Sequence, residues 1–266
     1  MRMHVFAACL LATTALTACA TTATTDQVGP GATSPAFAAA QAEVARLAAQ
    51  ANQNVLLTPW TGPHDGVPPW DHADPVLIPA ALELGIALQE AEVQAIAKNP
   101  AAPSFDNTLA ALQNSGRHLD RATTIFSIMT DNVSTPAIQQ LEADWSPRLT
   151  AAFNAITFNR DLFARIDTLH AGRANLGLSA EQLRLLERTR DQFVRAGAAA
   201  APEQQARLGA INEELSSKFA DFGRRLLADE NTAIFINRQS DLAGLPQNMR
   251  DAFAAAAAER GHPGQW

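Results

Sequence analysis

Pro202-Glu203-Gln204-Gln205-Ala206-Arg207-Leu208-Gly209-Ala210-Ile211-Asn212-Glu213-Glu214-Leu215-Ser216-Ser217-Lys218-Phe219-Ala220-Asp221-Phe222-Gly223-Arg224-Arg225-Leu226-Leu227-Ala228-Asp229 is the stretch that decides the fold. Leu208, Ile211, Leu215, Phe219, Phe222 and Leu226 step by three or four residues, which sets all six on one helical stripe. Asn212, Glu213, Glu214, Ser217, Lys218, Asp221, Arg224 and Arg225 fall on the other faces. Pro202 suits a first helical turn, where a missing N–H costs nothing. At ~1.5 Å per residue the helix is about 42 Å long. Burying six such side chains contributes roughly 9–18 kcal/mol before chain entropy is subtracted. The stripe therefore reads as core or coiled-coil seam, with partner helices along its whole length and no chemistry of its own.

Working outward, the rest of the chain is also helical in character. Of 266 residues 47% are hydrophobic, Ala and Leu dominate, and Tyr is absent. The net charge is −7 and only Lys98 and Lys218 are lysines, which excludes a nucleic-acid surface. Ala36–Asn52, Pro79–Ala97, Ser104–Asn114 and a segment after Gly116 carry helical spacing. Thr135-Pro136 starts a helix past Trp145 that Pro147 is expected to bend. Asn159–His170 is shorter, and Ser179 with Gln182 forms a capping box for a helix closed by Gly197. A last alanine-rich helix follows Gly244-Leu245-Pro246 and ends near Arg260. The fold class is mainly α, with one short β-like run at 233–237. A lone strand is not stable, so its partner lies outside this chain or among the residues around Trp266.

The N-terminus has the layout of an export signal. Arg2 and His4 precede an apolar run, Val5–Leu16, that ends in Leu16-Thr17-Ala18-Cys19. This resembles a bacterial lipobox, whose cysteine is acylated. The expectation is a signal at 1–18, lipidation at Cys19, a flexible tether over 19–35 and a helical domain over 36–266. Loss of residues 1–18 removes Arg2 and takes the net charge from −7 to −8. The chain is then exported to the periplasmic side and held to a membrane by acyl chains, with no spanning helix in its mature part.

Chemistry is sparse. No His-Glu-x-x-His, Gly-x-Ser-x-Gly or Gly-x-x-x-x-Gly-Lys is present. The candidates for metal ligation are His64 and His72, with Asp65, Asp71 and Asp74, all in a Pro-rich loop over 58–75. Their spacing matches no ligand pattern, and they read as solvated loop residues. His118 and Asp120 read the same way, and the charges on the 180–196 helix (Arg184, Glu187, Arg188, Arg190, Asp191) as a wetted face. Nothing brings nucleophile, base and orienting group together.

One segment is more specific. Pro103-Ser104-Phe105-Asp106-Asn107-Thr108 resembles the Pro-(Thr/Ser)-Phe-(Glu/Asp)-Asn-Thr segment of the peptidyl-dipeptidase, oligopeptidase A and thimet oligopeptidase family of zinc metallopeptidases. Further matches follow in order: Ser115-Gly116-Arg117, Leu176-Gly177-Leu178, Arg184–Arg188, Phe193–Ala198, Ile211-Asn212-Glu213 and Asp241–Pro246. Pro75-Val76-Leu77 and Arg225 depart from the family pattern. The resemblance spans roughly Asn54 to Trp266. It implies the N-terminal helical part of such an enzyme, which walls a channel admitting short peptides. The zinc and its glutamate base would belong to a catalytic half absent from this sequence, so this chain alone is expected to be inactive and to bind no zinc. The neighbour of the 233–237 run would come from that half, which a separate chain could also supply. The rival expectation is a non-enzymatic helical lipoprotein, a scaffold or peptide-binding module.

Overall fold

The computed structural model describes residues 34–64, 66–230 and 232–266. The signal, Cys19 and nearly all of the tether lie outside the described residues. The helices are α1 (Pro35–Ala51), α2 (Ile78–Ala97), α3 (Ala111–Asn114), α4 (Arg117–Asn132), α5 (Pro136–Thr157), α6 (Arg160–Gly172), α7 (Ala180–Arg195), α8 (Pro202–Glu230) and α9 (Gln247–Glu259). A π-helical turn, Phe105–Ala110, runs into α3. The mainly α expectation is borne out, and the boundaries read from caps hold to within a few residues. Thr135, Asn159 and Ser179 each accept a backbone N–H three residues on, as N-caps do. α5 continues through Pro147 to Thr157.

The organising helix is α2, which packs against α1, α4, α5 and α6. It buries Ile78, Ala81, Leu82, Gly85, Leu88, Ala91, Val93 and Ile96, which lie on more than one face. A helix apolar nearly all round is a central helix. Its first turns join Leu47, Leu57, Leu119, Ile125, Ile138 and Trp145 in one core among α1, α2, α4 and α5. Its last turn joins Leu109, Leu162, Ile166, Leu169 and Leu186 in a second core with α6 and α7. Gly85 lets α2 approach α4, because a Cβ there would lie 3.0 Å from the Cα of Leu119.

α8 departs from its sequence reading. It packs on α5, and its buried positions are small or polar: Gln205, Gly209 and Ala220, with Gln205 donating to Gly197 O and Ala198 O. Asn212 donates to Asn154 Oδ1 at 2.9 Å, and Gly209 lies beside Phe158. The expected core stripe instead points mostly outward. Leu215 is 45% exposed, Phe219 70%, Phe222 64% and Leu226 47%. The spacing reported amphipathicity, and that property says nothing about whether a partner covers the apolar face. Among the described residues, α5 is the helix against which α8 chiefly packs.

Residues 233–237 form no strand ladder. Ile236 exchanges two backbone hydrogen bonds with Trp266, N–H to O at 2.8 Å and back at 3.1 Å. The terminal residues thus supply the one pairing this run makes.

Candidate functional site

The Pro-Ser-Phe-Asp-Asn-Thr segment is a hydrogen-bonded junction. Ser104 Oγ accepts the N–H of Asn107 at 3.1 Å while Asn107 Oδ1 accepts the N–H of Ser104 at 2.8 Å, a reciprocal cap on the turn that follows. The amide nitrogen of Asn107 donates to Ala102 O at 2.9 Å. Arg165 on α6 enters from beneath, only 7% exposed. It donates to Asn107 Oδ1 (2.8 Å), Thr108 Oγ1 (3.3 Å), Asn99 O (2.8 Å) and Ala101 O (3.1 Å). Its acceptors are neutral oxygens, and burial pulls its pKa below the ordinary guanidinium value. Such a group holds a loop in place and offers no proton at neutral pH.

A second junction joins α2 to α4. Glu92 Oε2 accepts the N–H of Gly116 at 2.7 Å, at the N-terminus of α4. Burial raises the Glu92 pKa, the Gly116 N–H opposes that, and nearby Asp120 raises it further. Burial likewise raises Asp120, with Arg121 opposing, and lowers His118, which Arg121 lowers further. Glu92, Asn114 and Ser115 also line a cleft of about 450 Å³ between α1, α2 and α3. Two carboxylates and a histidine resemble acid–base machinery, but the Ser115 hydroxyl in the same cleft donates to Leu112 O at 2.8 Å and Glu92 holds the Gly116 N–H, so the arrangement is a helix cap.

The Pro-rich loop brings little together. His72 Nε2 lies 3.4 Å from the Asp71 carboxylate, both exposed. His64 is exposed with φ 58°, and Asp65 lies outside the described residues. Among the described residues no group of three or more His, Cys, Asp or Glu side chains could hold a metal. A catalytic zinc uses three protein ligands, so the described residues do not fit one.

One apolar surface was missed by sequence reasoning. Past α8, residues 233–236 with Phe253, Ala257 and Trp266 line an apolar cavity of about 300 Å³. Phe235 stacks on His262 at 3.8 Å between ring centres. Ile234, 89% exposed, continues the apolar character of the α8 stripe. A sequence signal did exist: a β-like run with no second strand is an apolar run with no partner.

No family model matches the chain. It is 36% identical over 187 residues to the dipeptidyl carboxypeptidase of Escherichia coli K12 and 38% identical over 187 residues to that of Salmonella typhimurium LT2. In both cases the match covers 70% of this chain and 28% of the relative's length. By this similarity, which agrees with the order of motifs along the sequence, the chain belongs to the dipeptidyl carboxypeptidase family and spans a little over a quarter of the relatives it matches.

Proposed function

We propose that this chain is the N-terminal helical part of a zinc-dependent dipeptidyl carboxypeptidase, the wall that limits access to short peptides. The similarity over 187 residues carries the reading. The roles of the matched segments support it, because Ser104, Asn107 and Arg165 build a rigid junction and supply no reacting group. On this reading peptide hydrolysis, zinc binding and the general base belong to residues beyond the matched region, whether on this or another polypeptide. The chain is exported and tethered through an acylated Cys19, with residues 19–35 as spacer.

The test is a chimera. The matched segment of the Escherichia coli dipeptidyl carboxypeptidase is replaced by the corresponding residues of this chain. Release of dipeptides from a short peptide, abolished by chelation, is expected. A folded, zinc-loaded chimera that releases none overturns the reading.

A second reading, a helical lipoprotein acting as scaffold or peptide-binding module, is favoured by one observation. The core among α1, α2, α4 and α5 is closed without any contribution from α8 or α9. A chimera without activity, together with a single cooperative melt of the present chain, supports that reading.

A further inference from the structure

We draw no further inference here: the strongest candidate, the apolar cavity past α8 lined by residues 233–236 with Phe253, Ala257 and Trp266, carries nothing, because the chain spans a little over a quarter of its relatives' length and nothing in the structure shows what covers that face.

Discussion

Arg165 Nη2 donates to Asn107 Oδ1 at 2.8 Å across 58 residues of chain, and the same oxygen accepts the N–H of Ser104. One side-chain oxygen thus ties α6 to the start of the turn that leads into α3. Asn107→Ala leaves a buried guanidinium short of an acceptor and removes half of the Ser104 cap. The expected loss is about 2–3 kcal/mol of unfolding free energy in a urea titration. Asn107→Asp keeps an oxygen for both donors and sets a negative charge beside Arg165, so it loses less than the alanine variant. Equal losses would mean that Asn107 acts mainly through its donation to Ala102.

Gly116 is the hinge of the α2–α4 junction. Its φ is 77°, and a Cβ added there would lie 2.3 Å from Gln89 Nε2. Gly116→Ala therefore combines a left-handed backbone with a collision, at a cost of about 2–3 kcal/mol. Gln89→Ala in the same chain removes the collision and leaves the backbone term, so roughly half of the lost melting temperature returns. No recovery would show that the backbone alone sets the cost.

What the sequence made legible follows from distance along the chain. The caps at Thr135, Asn159 and Ser179 join groups three residues apart, so composition at fixed offsets reveals them. The Glu92–Gly116 and Asn107–Arg165 contacts join residues 24 and 58 apart, and no periodicity encodes such pairs. The stripe on α8 was legible as a stripe. Its exposure was not, because burial depends on whether a neighbour exists. The same reasoning promoted α8 over α2 as the centre of the fold. α2 has a blurred stripe because it is apolar on several faces, and that blur was the better sign of centrality. As for the site, the family segment was legible as a likeness, but its role as a junction needed Arg165 beneath it.

Glu92 predicts the pH dependence. Its pKa is raised, mainly by burial, so the folded state favours its protonated form. The associated stability is fully present below the ordinary glutamate range and falls as pH rises through the raised value. Glu92→Gln keeps an oxygen for the Gly116 N–H and removes the charge. It is expected to raise stability at pH 7 and to differ little from the parent at pH 4. Urea titrations at the two pH values check this. A variant weaker at pH 7 would mean that the charge on Glu92 stabilises the N-terminus of α4 more than its burial costs.

The proposed anchor makes a separate prediction at Cys19. Cys19→Ala should move the protein from the detergent-rich to the aqueous phase on detergent partition and abolish labelling by radioactive palmitate, since among the described residues no helix is long and apolar enough to cross a membrane. The helical domain is expected to melt as before. Retention in the detergent phase would assign the membrane attachment to another part of the chain.

Phe222 and Phe126 separate the two readings of an apolar stripe. Both occupy helical positions that spacing alone marks as core. Phe126 on α4 is 6% exposed and belongs to the core among α1, α2, α4 and α5, whereas Phe222 is 64% exposed. Phe126→Ala opens a cavity and removes buried area, at a cost of about 3–5 kcal/mol. Phe222→Ala should change stability by no more than about 0.5 kcal/mol. The same substitution should lower the fluorescence of a dye bound to exposed apolar surface, because it removes part of the patch. A loss of several kcal/mol at Phe222 in dilute solution would instead mean that α8 folds back over its own stripe, with Leu215 and Leu226 buried beside it.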